Sequence, residues 1–207
     1  GLSNKRSKYI IIGHATDTDR FRPLKVEKPK NPVLLSVGGL YEIKGHHLII
    51  KALKKIVDEG YKNTELWIVG EGYYKDKLIE LAKELGVHDR VKFLGGKDHK
   101  ELASIYNKSD IFVLANYQEI TPAVNEALAC QKPVVAMETG GCRFVIPNKS
   151  YGLITKRFDV DDIADKIVLL IKNKNLAKKI ATKGRKMVLG NFSIEKVASK
   201  IYDSFTK

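Results

Sequence analysis

Short apolar runs alternate with longer segments of helical periodicity along most of the chain, and this alternation restricts the fold more than any other feature. The apolar runs predict strands at 33–37, 66–69, 91–94, 110–114, 133–136 and 152–154. Segments whose apolar residues recur every third or fourth position predict helices at 48–57, 78–85, 98–106, 122–130, 159–172, 176–190 and 193–206. The strands show no alternation of polar and apolar residues, so both of their faces should be buried, as in a parallel sheet covered by helices. We therefore predict an α/β fold, a doubly wound parallel sheet of the Rossmann-like type with a helical C-terminal tail.

Residues 1–30 do not follow this rhythm. Pro23 and Pro29 fall within the segment and Pro32 follows it, and proline is poorly tolerated inside helices and central strands. We predict that residues 1–30 are a linker or the end of another domain. Residues 31–207 should form one domain.

The charge of the chain restricts the classes of partner. Its formal net charge is +13, which favours nucleotides, nucleic acid or an acidic lipid surface. The lysines are spread along predicted helices, and no cluster of aromatic and basic residues resembles the platforms that stack on single-stranded nucleic acid. We therefore do not expect nucleic acid as a partner.

Cysteine content and hydropathy bear on the compartment. The two cysteines, Cys130 and Cys142, show neither CxxC spacing nor a nearby set of histidines, so we expect no metal site and no disulfide framework. The apolar runs are far shorter than the roughly 20 residues that span a bilayer. No signal-peptide pattern is visible at the start of the sequence. We expect a soluble, cytoplasmic protein.

Four glycine clusters follow predicted strands. They lie at 38–39, 70–72, 95–96 and 140–141. The carboxyl ends of parallel strands share one edge of the sheet, and ligands bind at that edge in doubly wound folds. Because glycine lets a backbone approach a ligand closely, the clusters favour a phosphate-bearing ligand there.

Several motifs, in order along nearly the whole chain, resemble one known family. They are Gly13–Pro23, the segments SVGGLYEIKG (36–45), IVGEG (68–72), DRVKFLG (89–95), EALACQKPV (126–134) and TGG (139–141), and Asn191-Phe-Ser-Ile in the tail. Together they are similar to the retaining glycosyltransferases of family GT4 (glycosyl transferases group 1), which have the GT-B fold. The resemblance implies that this chain is the C-terminal, donor-binding domain. Gly13–Pro23 is similar to the family's hinge, so residues 1–30 would lead from an N-terminal domain.

The resemblance also implies an activity. Such an enzyme transfers a sugar from a UDP- or GDP-sugar to an acceptor with retention, and it uses neither a metal nor another cofactor. The implied partners are the nucleotide-sugar and an N-terminal, acceptor-binding domain of the same protein. A lipid-linked acceptor, or peripheral attachment to a membrane surface, is left open. The donor-binding domain alone should be inactive in transfer.

The resemblance assigns roles to individual residues. Lys44 would contact the diphosphate and Glu119 the sugar, and both are candidate catalytic residues. Glu126 would bind the ribose hydroxyls, and the turn after 92 would receive the base. The full set implied to bind the nucleotide-sugar is Gly38, Gly39, Lys44, Gly70, Gly72, Phe93, Leu94, Gly95, Glu119, Thr121, Pro122, Ala123, Val124 and Glu126.

The sequence departs from the family pattern in two places that matter for the chemistry. Gly39 stands where the family usually has an arginine that shares the diphosphate charge, and Arg143 is a candidate substitute. The family's sugar-contacting glutamate falls on Gln118 by spacing, with Glu119 next to it, so either residue could take that role. These departures support an alternative, a module that binds a nucleotide-sugar with weak or no transfer.

Overall fold

The computed structural model describes residues 13–118 and 122–205. Its strands are β1 (Val33–Val37), β2 (Glu65–Val69), β3 (Val91–Phe93), β4 (Ile111–Leu114), β5 (Val134–Met137) and β6 (Leu153–Thr155). Its α-helices are α1 (His46–Asp58), α2 (Lys75–Glu84), α3 (His99–Lys108), α4 (Pro122–Ala129), α5 (Cys142–Val145), α6 (Val160–Lys172), α7 (Lys174–Asn191) and α8 (Ile194–Phe205). Short 3-10 helices lie at Glu42–Lys44 and His88–Arg90.

The strands form one sheet in the order β3-β2-β1-β4-β5-β6, and every pairing is parallel. The chain runs outward from β1 to β3, returns to β4 beside β1, and continues to the opposite edge. The strand order therefore reverses between β1 and β4, where Leu34 lies beside Ile111. This topology confirms the predicted doubly wound parallel sheet, and the reversal marks where ligands bind in such folds.

Helices cover both faces of the sheet. Leu34 packs in an apolar cluster with side chains of α1, α2 and α6, whereas Leu35 packs in a second cluster with side chains of α3, α4 and α7. Both leucines are fully buried. Adjacent residues of one strand thus enter different cores, which explains why the strands show no polar and apolar alternation.

Local signals set the ends of several elements. The backbone N–H of Glu101 donates to Asp98 Oδ1 at 2.8 Å and the N–H of Asp98 donates to Glu101 Oε2 at 3.4 Å. This reciprocal pair is a capping box, and it confirms the predicted start of α3. The sequence did not predict α5, because its four residues are too few to show a helical period.

Part of the predicted linker lies against the domain. The N–H of Thr16 donates to the carbonyl of Phe192 at 2.8 Å, and Thr16 forms a bridge with Ser193. Phe21 is 3% exposed and its ring meets that of Tyr106 edge-on, with centroids 5.9 Å apart. The segment from 13 to 21 is therefore anchored by the junction between α7 and α8 and by α3. Residues 1–12 lie outside the described residues, and the domain boundary at 31 stays a prediction.

Candidate functional site

The candidate site lies at the carboxyl edge of the sheet, around the reversal between β1 and β4. The glycine clusters at 38–39, 70–72, 95–96 and 140–141 follow β1, β2, β3 and β5, as predicted. Hydrogen bonds join the loops after β1, β2 and β3. The N–H of Gly38 donates to Val69 O at 3.0 Å, that of Leu40 to Glu71 O at 2.9 Å, and that of Gly70 to Gly95 O at 3.0 Å.

Two glycines are required where these loops meet. Gly70 has φ +143°, and a Cβ there would lie 2.0 Å from the carbonyl oxygen of Gly38. A Cβ on Gly72 would lie 2.3 Å from the carbonyl oxygen of Leu40. The glycines of the β2 loop therefore allow the two backbones to pack together, which is a structural role. Their contact with a nucleotide-sugar stays a prediction.

Lys44 ends the 3-10 helix that precedes α1, and its side chain is half-buried. Gly45 follows with φ +70°, and a Cβ there would lie 2.0 Å from the carbonyl oxygen of Ala115, just beyond β4. The N–H of Tyr117 donates to the carbonyl of Ile43 at 2.9 Å. The loop that carries Lys44 is thereby held against the exit of β4, across the strand reversal.

His46, the first residue of α1, is buried behind the Gly38-Gly39 turn and is 2% exposed. Its Nδ1 lies 3.1 Å from Ser36 Oγ, and its Nε2 has no hydrogen-bond partner among the described residues. Burial lowers the pKa of His46 to about 4, although the nearby backbone of Gly38 and Gly39 partly opposes this. A neutral imidazole therefore supports the turn. Sequence reasoning gave this histidine no role, because neither Ser36 nor Gly38 is its neighbour in the chain.

Glu126 lies in α4 and is half-buried. The hydroxyl of Tyr106, on α3, donates to Glu126 Oε2 at 2.9 Å and lies 3.2 Å from the carbonyl oxygen of Ala123. Burial raises the pKa of the Glu126 carboxyl, while the Tyr106 hydrogen bond and His99 act in the opposite direction. One carboxylate oxygen is thus fixed by the protein, and Oε1 is the second acceptor. Tyr106 was missed from sequence because it reaches Glu126 only through tertiary packing.

The first turn of α4 starts at Pro122, and the side chains of Ala123 and Val124 are buried. These two residues can contact a ligand only through their backbone. A helix N-terminus carries unpaired N–H groups and a partial positive charge, which favour anions.

The loop after β3 carries the predicted base-contacting residues. Phe93 ends β3 and packs against the core. The N–H of Leu94 donates to Ile68 O at 2.9 Å, and the carbonyl of Gly95 accepts from Gly70. Those two backbone groups extend the sheet, so a base would contact other groups of this segment.

Three of the predictions concern residues near the start of α4. Glu119 and Thr121 lie outside the described residues. Gln118 is described, and its N–H lies 3.4 Å from Asn116 Oδ1. The choice between Gln118 and Glu119 for the sugar contact therefore stays open. Arg143, the candidate substitute for a cation at position 39, pairs with Glu138 at 3.0 Å on the same edge.

A Cβ on Gly39 would lie 2.5 Å from Cε2 of Tyr41. The Tyr41 ring, which is stacked at a tilt on Tyr73 with centroids 5.4 Å apart, thus fills the space that a side chain at 39 would enter. The absence of a side chain at position 39 therefore leaves room for the Tyr41 ring in this position.

Two findings concern metals and membranes. Among residues 13–118 and 122–205, no three or more His, Cys, Asp and Glu side chains are grouped so that they could hold a metal ion. Across the same residues, no helix has both the length and the apolarity of a membrane crossing.

Comparison with known proteins agrees with this architecture. The chain is 29% identical over 195 residues to the lipopolysaccharide core biosynthesis glycosyltransferase LpsE of Rhizobium meliloti. The matched region covers 92% of this chain and 54% of that protein. It is 28% identical over 204 residues to the GDP-mannose-dependent alpha-(1-6)-phosphatidylinositol monomannoside mannosyltransferase of Mycobacterium tuberculosis, covering 90% of this chain and 53% of that protein. The chain thus spans about half the length of the curated relatives it matches.

A solved structure shows the same fold as a separate domain. The C-terminal domain of the glycosyl transferase group 1 family protein LpcC from Francisella tularensis matches 87% of this chain and 100% of its own, with a TM-score of 0.77 and 26% identity. The family model described as "Glycosyl transferases group 1" matches residues 17–187. The reversal of strand order and the glycine-lined edge agree with this match. The chain belongs to the glycosyl transferases group 1 family, whose fold is of the GT-B type.

Proposed function

We propose that this chain is the donor-binding domain of a retaining, metal-independent glycosyltransferase that uses a UDP- or GDP-sugar. The observation that carries the proposal is the joining of the Lys44 loop to the exit of β4, because it puts a cation and the start of α4 on the two sides of the strand reversal. Ligands of doubly wound folds bind in this position.

The leaving group of the reaction explains the need for these residues. Breaking the bond between the sugar and the phosphate leaves a nucleoside diphosphate, and without a metal its growing negative charge needs donors from the protein. Lys44 supplies an ammonium group, and the backbone N–H groups at the start of α4 supply a partial positive charge. Lys44 is then catalytic because it contacts the departing phosphate.

Glu126 suits the ribose. A carboxylate accepts hydrogen bonds from hydroxyl groups, and the bond from Tyr106 to Oε2 holds the group so that Oε1 can accept from the sugar. This carboxylate is half-buried, so water screens its charge less and its repulsion of an anionic phosphate is stronger. A neutral ribose is therefore the better partner. Gln118 or Glu119 stays the proposed contact of the donor's sugar.

The remaining parts of the reaction belong to partners of this domain. An N-terminal domain of the same protein would bind the acceptor and close the cleft over the donor, and without it the acceptor is not oriented. The isolated chain should therefore bind nucleoside diphosphates without transferring sugar. We place the protein in the cytoplasm.

Titration calorimetry of the chain with UDP, GDP, uridine and guanosine tests this proposal. Lys44→Ala should weaken the diphosphates about ten- to a hundredfold and leave the nucleosides unchanged, because a charge-assisted hydrogen bond contributes about 1.5–3 kcal/mol. Glu126→Ala should weaken diphosphates and nucleosides alike. The matched controls are Lys62→Ala, in the turn after α1, and Glu84→Ala, at the end of α2. Both replace exposed side chains.

The result for nucleosides decides the assignment. An equal loss for uridine and UDP in the Lys44 variant would remove lysine from the phosphate site. Unfolding temperatures of all variants must be compared, since Glu126→Ala also takes a partner from the buried Tyr106.

A second candidate, a module that binds a nucleotide-sugar without transfer, is favoured by Gly39. The diphosphate would then lack the cation that the family usually has at this position. Transfer by the chain joined to its acceptor-binding domain would exclude this candidate.

A further inference from the structure

The positive charge of the protein is concentrated in one stretch. Between residues 166 and 194 there is no aspartate or glutamate, and the cations are Lys166, Lys172, Lys174, Lys178, Lys179, Lys183, Arg185 and Lys186. The whole chain has 37 cations and 24 acids, and all 24 acids lie outside this stretch. This stretch, which runs from the middle of α6 through α7 to the start of α8, therefore supplies 8 of the +13 net charge.

The fold turns the lysines of α7 to the surface. One side of α7 is buried, through Ile180, Ala181, Gly184 and Val188. Lys178, Lys179 and Lys183 are exposed on the opposite side, and none of them forms an ion pair within the part of the chain that the structure describes. The acids of α6 lie in its first half, at 161, 162 and 165, away from the start of α7.

An apolar groove lies beside these lysines. It has a volume of about 380 Å³, and its floor is formed by four side chains from β6, α6 and α7: Leu153, Leu169, Leu176 and Ile180. Leu169 is 44% exposed. Lys149, Lys179 and Lys183 line the same groove. A second depression of about 450 Å³ adjoins it and shares Lys179 and Lys183.

We propose that this face, the α7 lysine face (Lys149, Lys178, Lys179 and Lys183 around the exposed Leu169), docks the protein onto a bilayer that contains anionic lipids. A cluster of four or more lysines beside exposed apolar surface suits the interface of such a membrane. The ammonium groups would contact the anionic headgroups, and Leu169 would contact the acyl region below them.

The same features are less suited to nucleic acid. The face carries no aromatic side chain on which bases could stack. An acidic protein would match the lysines, but the apolar floor favours an amphiphilic partner. A lipid surface therefore fits this face better than nucleic acid or an acidic protein does.

The position of the face leaves the donor edge free. Leu153 starts β6, Leu169 lies in the last turn of α6 and Leu176 in the first turn of α7, so the groove is at the amino ends of the strands. The proposed donor site is at the carboxyl ends. Membrane docking can therefore be tested separately from nucleotide binding.

Co-sedimentation with vesicles tests the proposal. We expect the 207-residue chain to sediment with phosphatidylcholine vesicles containing phosphatidylglycerol and to remain in solution with phosphatidylcholine alone. The triple variant Lys178→Glu, Lys179→Glu, Lys183→Glu should lose about a hundredfold in vesicle affinity, because each lysine near an anionic surface contributes about fivefold. Leu169→Asn should lose a few-fold, since only the exposed part of its side chain enters the bilayer.

The matched control has the same change of charge on other faces. It carries Lys77→Glu, Lys83→Glu and Lys100→Glu, which replace exposed lysines of α2 and α3 without an ion pair in the described part of the chain, and it should keep most of the binding. Circular dichroism must show all variants folded. Equal losses in the two triple variants would reduce the effect to net charge and overturn the proposal. Sedimentation independent of phosphatidylglycerol, or binding of RNA instead of vesicles through the same lysines, would also overturn it.

Discussion

The burial of His46 predicts a loss of stability in mild acid. The pKa of His46 is lowered from 6.5 to about 4 by burial, so the folded protein keeps this imidazole neutral. When the pH falls below 6.5, the unfolded chain takes up a proton that the folded chain does not, and the free energy of unfolding decreases until the pH reaches about 4. The gap between the two pKa values corresponds to about 3 kcal/mol, of which about 2 kcal/mol is lost by about pH 5.

Urea unfolding of the wild type and of His46→Gln at about pH 7.5 and about pH 5 measures this contribution. The glutamine has no titrating group, so the variant should lose about 2 kcal/mol less than the wild type between the two pH values. His47, whose pKa burial also lowers, remains in both proteins. His88→Gln is the control: its side chain is exposed and lies 3.0 Å from Asp89 Oδ1, and because a pair this exposed contributes little to stability, the variant should behave as the wild type does. If His46→Gln loses as much stability as the wild type, the imidazole does not stay neutral behind the Gly38-Gly39 turn.

Two further predictions concern the loops of the site. Gly39→Arg should tighten the binding of UDP or GDP about tenfold, about 1.4 kcal/mol, without changing the binding of uridine or guanosine, provided that the Tyr41 ring turns outward. If Arg143 already supplies the charge, Gly39→Arg should gain little affinity, and Arg143→Ala should weaken the binding of the diphosphates. Titrations in which neither change affects diphosphate affinity would show that the phosphate site is elsewhere. Gly45→Ala should destabilise the fold by about 2 kcal/mol or more, because a Cβ would meet the backbone oxygen that follows β4 at 2.0 Å. Gly86→Ala, at φ +66° in open space, separates the cost of the backbone conformation from that of the contact, and equal losses in thermal unfolding would contradict the steric argument.

The sequence was sufficient for the sheet and most helices because their signals are local and periodic. The apolar run from Val33 to Val37 reflects a strand that is buried on two faces. The apolar spacing after Gly45 reflects a helix that is buried on one face. The capping box at Asp98 could be recognised from two residues three positions apart. The glycine clusters likewise indicated the edge at which the loops meet.

The sequence was insufficient where tertiary packing decides. Phe21 stands among residues that predict a linker, yet it is buried against Tyr106, 85 positions along the chain. The bond from Tyr106 to Glu126 and the burial of His46 behind a glycine turn depend on contacts between separate elements. No spacing rule within one sequence indicates such contacts.

The proposed function requires that a nucleoside diphosphate binds at the carboxyl edge of the sheet, across the reversal between β1 and β4. A crystal structure of the chain with UDP or GDP would show where the nucleotide lies. We expect the phosphates beside Lys44 and the start of α4, and the ribose within hydrogen-bonding distance of Glu126. A nucleotide held by the lysines of α7, or at any place away from the Gly38–Lys44 loop, would contradict the proposal.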